Sequence, residues 1–393
     1  MKVLLDHLDL NDRKDLEHAW NAPATFAFLP GKSHRLRDWV ADSLTQLPES
    51  LQTEHFVLLS SGTTGDPKLV IGSRRRAEAL VRLLHEAQTS EPVAAAIVLL
   101  PLSYSYAFVN QWLWTFIFGR RFVPTPGFTE PAQLADCLTR EAKSMICLVA
   151  AHVPLLEAHF AGRHFPGVIR VHFAGSRFPQ EKISTTRDFF PEAEIYNNYG
   201  CVEAMPRLTL RRASDGVSAR DIGRPLSGIE LRSGSEGSLL FRSPYAAVGF
   251  CDSGGFHPYT SEDWIFTGDA GHAEPDGRWS LDGRASEVFK RYGEKVSLPM
   301  LQESLTVCWQ GQQTFYRETD SLGELGHVLV IAPHPSSAQL NALLSTLRRH
   351  HNRAHWPLRI ESVAAMPLLP NGKVDVAGLN ELQEKTVCWS QII

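Results

Sequence analysis

The sequence lacks the usual marks of a secreted, membrane-bound or metal-stapled protein. Its 393 residues hold six cysteines (Cys137, Cys147, Cys201, Cys251, Cys308 and Cys388), none in a C-x-x-C pair, so neither a zinc site nor a redox motif is supported. The start, Met1-Lys2-Val3-Leu4-Leu5-Asp6, has no apolar stretch long enough for a secretion signal; reduced thiols and a cytoplasmic location are the expectation. Long hydrophobic runs are missing too. The longest, Val93 to Leu100, stops at Pro101, far short of a bilayer span. Nor is there an excess of one charge: the net charge is −4 with both signs mixed along the chain, which gives no electrostatic reason to expect nucleic acid or a membrane as partner.

What is present is an ordinary globular composition, 43% apolar and 21% charged, in a chain long enough for two domains. The first 55 residues, broken by Pro23 and Pro30, read as a small irregular or helical cap. From Phe56 onward short apolar runs (Phe56–Leu59, Ala95–Leu100, Ile146–Ala150, Val168–Phe173, Glu194–Asn197) alternate with helical stretches (Arg76–Ala87, Ala132–Ala142, Gln180–Phe190). Strand–helix alternation predicts an α/β architecture with largely parallel sheets. Residues 221–282 are rich in Gly, Ser and Asp and predict a small β-rich subdomain with tight turns. Beyond Gly283, helices at 298–308 and 338–350 and strands at 326–331 and 358–363 predict a compact α+β domain. The expected division is 1–282 and 283–393.

The strongest local signal is Ser60-Ser61-Gly62-Thr63-Thr64-Gly65-Asp66-Pro67-Lys68, read as following a strand and preceding a basic helical stretch. Two glycines let backbone approach an anion, four hydroxyls and free N–H groups can surround phosphate oxygens, and Lys68 adds a charge. An arbitrary loop of this composition would more often be a plain polar turn. It is not the G-x-x-x-x-G-K-[ST] loop of P-loop NTPases.

Ser60–Lys68 resembles the phosphate loop of the adenylate-forming superfamily of acyl-CoA synthetases, peptide-synthetase adenylation domains and luciferases. Four further stretches resemble that family's signatures in its order: Tyr196-Asn197-Asn198-Tyr199-Gly200-Cys201-Val202-Glu203, Thr267-Gly268-Asp269, the hinge-like Gly283–Gly293, and Pro370-Asn371-Gly372-Lys373-Val374-Asp375. Pro101–Phe108 and Gly237–Pro244 match weaker ones. The likeness covers about residues 56–380.

The resemblance implies ATP and magnesium. Ser60, Ser61, Gly62, Thr63, Thr64, Gly65 and Lys68 would hold the phosphates. Glu203 would hold the metal, a carboxylate suited to a cation beside a triphosphate. Gly175, Ser176, Arg177, Asn198, Tyr199, Gly200 and Cys201 would line the nucleotide, with the Tyr199 ring stacked on adenine. Asp269 and Arg284 would contact the ribose. Lys373 would bridge the carboxylate and the α-phosphate, where charge builds in the transition state. Tyr104, Ser105, Tyr106, Phe108, Ala174 and Gly175 would line the acid. Taken singly, Glu203 would read as a surface glutamate, Tyr199 as a core residue and Lys373 as a solvated loop lysine.

The implied activity is ATP-dependent formation of an acyl-adenylate, then transfer to the thiol of coenzyme A or of a carrier-protein phosphopantetheine arm. The C-terminal domain would swing about Ser286 and use the face near Lys290 and Gly293 for the second step. Three positions depart from the family: Val202 replaces its threonine and loses a hydroxyl, Ser286 stands at the hinge where a carboxylate or lysine is usual, and Tyr104 replaces a histidine. The early phosphate loop resembles short bacterial members of pigment and antibiotic pathways, including hydroxybenzoate-activating ligases of xanthomonadin and aryl polyene type. A hydroxybenzoate or similar aryl acid is the first expectation and a short fatty acid the second. A nucleotide-binding regulator without turnover, or an enzyme with an amine or alcohol acceptor, remains the alternative. His351 and His355, four apart, lack an intervening glutamate and read as a basic helix end. Trp112 and Trp114 read as core.

Overall fold

The structure, a computed structural model, describes residues 3–6, 13–29, 34–61, 67–215, 218–367, 374, 376–382 and 384–391. It divides into two compact units. One comprises residues 1–233, 239–267 and 272–281, the other 234–238, 268–271 and 282–393.

The larger unit is built on two sheets. One has six strands in the order Val3–Asp6, Phe26–Leu29, His55–Ser61, Pro67–Ser73, Gly249–Asp252, Gly255–Pro258. The first 55 residues therefore contribute two strands to this sheet and two helices, Arg13–Asn21 and His34–Gln46, in place of the expected cap. The cause is the run Phe26-Ala27-Phe28, whose side chains are all buried. Pro23 and Pro30 bound that strand and do not break it.

The other sheet has eleven strands. Five are mutually parallel and adjacent: Arg121–Pro124, Ala95–Val98, Ser144–Leu148, Val168–Phe173 and Glu194–Tyr199. Helices such as Pro131–Arg140 and His152–Phe160 join the later ones, as parallel crossovers require. After Tyr199 the connections shorten to turns, and the next strands, Thr209–Arg212, Asp221–Pro225 and Trp279–Arg284, pair antiparallel. The sheet is thus mixed. The strands of the β-rich 221–282 segment are shared between the two sheets.

In the smaller unit a hairpin, Val288–Arg291 with Glu294–Ser297, precedes a four-stranded sheet of Gln312–Thr319, Leu325–Ala332, Arg359–Ser362 and Thr386–Ser390. Alternation along Leu325–Ala332 sends Leu329 and Ile331 into one apolar cluster with Leu301, Leu343 and Leu347, and Val328 and Val330 into another with Val363 and Leu379. That two-sided burial explains the unbroken apolar run. The Arg291–Asp320 ion pair, 3.2 Å apart with both side chains fully buried, ties the hairpin to the strand turn. Among the described residues no helix is long and apolar enough to cross a membrane.

Candidate active site

Ser60 and Lys68 face each other as register partners in a β-hairpin, so the Ser/Gly/Thr stretch is a connection between antiparallel strands. The basic helix expected after it is there, Arg74–Ala87, and between the two Leu69, Val70 and Ile71, all buried, form a strand that the sequence left unassigned. Gly62, Thr63, Thr64, Gly65 and Asp66 lie outside the described residues. Lys68 places its ammonium 4.9 Å from the centre of the Phe250 ring, a cation–π contact that orients the side chain.

The Tyr196–Glu203 stretch runs off the last parallel strand. Tyr199 ends that strand, is 8% exposed and pairs with Thr209. Gly200 then passes so close to the returning chain that an added Cβ would stand 1.9 Å from the Pro206 carbonyl oxygen. Only glycine fits, and this close pass sets the turn. Val202–Ala204 makes one 3-10 turn, and Met205 closes it at φ +57°, a left-handed conformation rare for a long side chain. Glu203 is half-buried on this turn and its carbonyl accepts from the Ala247 N–H at 2.8 Å. Burial, and then the Glu203 carboxylate, push the Tyr259 phenol well above its usual range. Cys201 is half-buried, and all six cysteines are free thiols.

Tyr104 and Tyr106 are separated by burial. Tyr104 is 59% exposed, whereas Tyr106 is buried. Ser105 starts a helix that becomes π-helical over Phe108–Leu113 and α-helical again over Trp114–Ile117. Phe108 sits wholly inside the core, its ring 5.1 to 5.8 Å from Phe56, Phe28, Trp112 and Trp20. Trp112 and Trp114 are buried as expected. Ala174 follows the strand Val168–Phe173, Gly175 turns the chain at φ +73°, and the Ser176 hydroxyl accepts from the Ala150 N–H at 3.2 Å. Gly175, Ser176 and Arg177 are exposed at this strand end.

A buried polar cluster that the sequence reading passed over lies between these segments. Arg207, 1% exposed, donates to the Asn198 and Asn110 side-chain oxygens, the latter at 3.0 Å, and its guanidinium lies 5.9 Å from the Tyr106 ring centre. Asn110 in turn donates to Cys147 Sγ at 3.4 Å, and Asn198 meets His172 Nδ1 at 3.3 Å. Burial holds the His172 imidazole down at about 3, raises the Cys147 thiol to about 11 and lowers the Arg207 guanidinium to about 10, still a cation at neutral pH. An arginine after Pro206 carries no sequence signal of burial, because the fold alone brings these four segments together.

In the smaller unit, Asp269 and Arg284 form an ion pair at 3.1 Å, with Asp269 mostly buried and Arg284 mostly exposed. Ser286 lies in the short 3-10 turn Ala285–Glu287, closed by the Arg284 N–H to Glu287 Oε2 at 3.2 Å. Lys290 is exposed on the hairpin, and Gly293, with Tyr292, forms its two-residue turn, both at positive φ. Lys373 lies outside the described residues; Val374 beside it packs on the cluster of Val328 and Val330. His351 and His355 are engaged with Ser304 Oγ and the Lys295 carbonyl.

Among the described residues no group of three or more His, Cys, Asp and Glu side chains is placed to hold a metal. A single carboxylate such as Glu203 suits magnesium that arrives with a triphosphate, since that ion commonly takes one or two protein carboxylates and draws its other ligands from phosphate and water.

Residues 4–245 match the family described as AMP-binding enzyme. A salicylyl-CoA synthase / salicylate adenylyltransferase from Streptomyces sp is 24% identical over 83% of this chain and 62% of its own length. A 2-hydroxy-7-methoxy-5-methyl-1-naphthoate–CoA ligase from Streptomyces carzinostaticus is 24% identical over 82% of this chain and 61% of its own. The chain therefore spans about three-fifths of the length of these two relatives. The solved o-succinylbenzoate coenzyme A synthetase MenE from Bacillus subtilis, in complex with AMP, superposes with a TM-score of 0.71 at 15% identity, covering 100% of this chain and 84% of the other. Together, the mixed sheet, the glycine-set turn that carries Glu203 and the match over residues 4–245 lead to one conclusion: this chain belongs to the AMP-binding enzyme family.

Proposed function

We propose that the protein activates an aryl carboxylic acid with ATP and passes the acyl group to a thiol. The observation that supports this best is the Tyr199–Glu203 turn, where an aromatic ring and a carboxylate are held by a glycine that admits no side chain, in a chain of the AMP-binding family. A carboxylate oxygen of the acid attacks the α-phosphorus of ATP. The bond from that phosphorus to the bridging oxygen breaks, and pyrophosphate leaves. Ser60, Lys68 and the stretch between them hold the phosphates, and Tyr199 stacks on adenine. Glu203 would hold magnesium, which when bound neutralises phosphate charge. Lys373 supplies the cation at the reacting centre. In the second step the thiol sulfur attacks the acyl carbon and AMP departs. Lys290 and Gly293 lie on the face assigned to that step, and residues 283–393 act as the moving part about Ser286.

An aryl acid is favoured by the aromatic Tyr104 and Tyr106 and the small Ala174 and Gly175 among the residues assigned to the acid, and by the aryl acids in the names of the two Streptomyces relatives. Coenzyme A is the preferred acceptor over a carrier-protein phosphopantetheine arm.

Acid-dependent pyrophosphate exchange across aryl and alkyl acids tests the reading. Exchange is expected with hydroxybenzoates, and silence with every acid would overturn it. Lys373→Ala should lower exchange at least ~100-fold while ATP still binds, because a preorganised cation acts mainly on the transition state. A screen of coenzyme A, holo-carrier protein and amines identifies the acceptor.

A further inference from the structure

The buried cluster at Arg207 is larger than the reaction just described requires. A guanidinium offers only donors, and here they rest on neutral amide oxygens of Asn198 and Asn110. Among the described residues no carboxylate pairs with Arg207; its polar neighbours besides the amides include Tyr106, Cys147 and His172. Among the described residues the buried His172 Nε2 has no hydrogen-bond partner, and the buried Tyr106 hydroxyl lies against the Cys147 thiol and the Asn198 amide. Stability alone gives no reason for this arrangement. A buried cation without an anion is expensive, and a hydrocarbon of the same volume usually does as well or better.

The position of the cluster supplies a reason. Asn198 immediately precedes Tyr199, the proposed adenine platform. Tyr106 belongs to the proposed acid-binding segment. Arg207 itself follows Glu203 by four residues, through the left-handed Met205. The π-helical turn over Phe108–Leu113 carries Asn110 into the cluster, a local widening often found where a side chain must be aimed.

We propose that Arg207 determines which acid is accepted, by donating hydrogen bonds to an acceptor oxygen on the acid other than its reacting carboxyl. Two substituents share that chemistry, a ring hydroxyl and a second carboxylate. When the acid binds, the incoming oxygen takes over donors now parked on Asn110 and Asn198, and Tyr106 closes beside it. The inference rests on the acid-activating reading above.

The test compares benzoate, a hydroxybenzoate and a benzene dicarboxylate by pyrophosphate exchange in the full-length parent and in Arg207→Met, which keeps the volume and removes the donors. Sites built to hydrogen-bond a substrate group reject the analogue lacking it strongly. One of the two substituted acids should therefore exceed benzoate by ~100-fold in kcat/KM in the parent, and that ratio should fall below about 5-fold in Arg207→Met. Which substituted acid wins tells hydroxyl from carboxylate. Arg207→Lys, with its charge but not the planar fork, should give an intermediate ratio. A parent that treats all three acids alike overturns the proposal. So does an Arg207→Met enzyme that loses activity equally with every acid, since Arg207 would then only clamp Asn198. A parent silent in exchange overturns the acid-activating reading instead. Calorimetric titration of the same three acids then decides on Arg207 alone, and equal affinity for benzoate and the substituted acids, or an unchanged preference in the variant, overturns it. If Arg207→Met shows no cooperative melt, the ratio in Arg207→Lys decides, and an unchanged ratio overturns the proposal.

Discussion

Gly200 shows how one residue can set a site. Its neighbours on the returning chain leave no room for a methyl group, and the left-handed Met205 closes the same turn. Gly200→Ala must move either Tyr199 or the Pro206 carbonyl. A destabilisation of about 3 kcal/mol is expected from forced overpacking of this kind, visible as a lower thermal midpoint. Pyrophosphate exchange should fall further than the loss of folded protein explains, because the ring of Tyr199 and the carboxylate of Glu203 lose their relative placement. Phe108 shows the opposite case. Motif position assigned it to the acid, yet its ring lies among Trp20, Phe28, Phe56 and Trp112 with no exposed surface. A one-dimensional motif cannot say which face of a helix meets a ligand.

At the scale of elements, helix and strand signals were readable where they were local. The helix Ser337–His350 begins at a capping box: the Ser336 hydroxyl accepts from the Gln339 N–H at 3.3 Å, and the Gln339 side chain accepts from the Ser336 N–H at 2.9 Å. Its last turn carries Arg348, Arg349 and His350, which complement the helix dipole. Ser336→Ala should cost about 1 kcal/mol, measured as a shift of the denaturant midpoint for residues 283–393 followed by Trp309 or Trp356 fluorescence. The strands Gln312–Thr319 and Thr386–Ser390 escaped the sequence reading because both are polar outside and only partly buried. Their identity comes from pairing with the apolar strand Leu325–Ala332 and with the largely buried strand Arg359–Ser362.

For the whole molecule, the buried histidines tie stability to pH. His172 in the larger unit and His327 in the smaller are fully buried, and desolvation holds both near 3 against an ordinary 6.5. Both are neutral in the folded state at pH 5, while the unfolded chain would bind a proton at each. Stability is therefore full above about pH 6.5 and declines as pH falls below it, down to about 3. Between pH 7.5 and 5 each should contribute a loss of about 2 kcal/mol to its own unit. Thermal melts across that range check the sign and size, and His172→Phe should flatten the slope in the larger unit. A profile that rises toward pH 5 would contradict this account.

The sequence by itself determined the family, the order of the stretches that resemble its signatures, and most of the parallel core, because spacing, glycine placement and hydrophobic period are written along the chain. It could not place Phe26–Leu29 in a sheet or reveal that the strands of 221–282 divide between two sheets, since strand partners there are remote in sequence. Nor could it find the cluster of Arg207, Asn110, Cys147 and His172, which is drawn from four separate segments. Burial and mutual distance made those residues a site, and both quantities come into being only when the chain is folded.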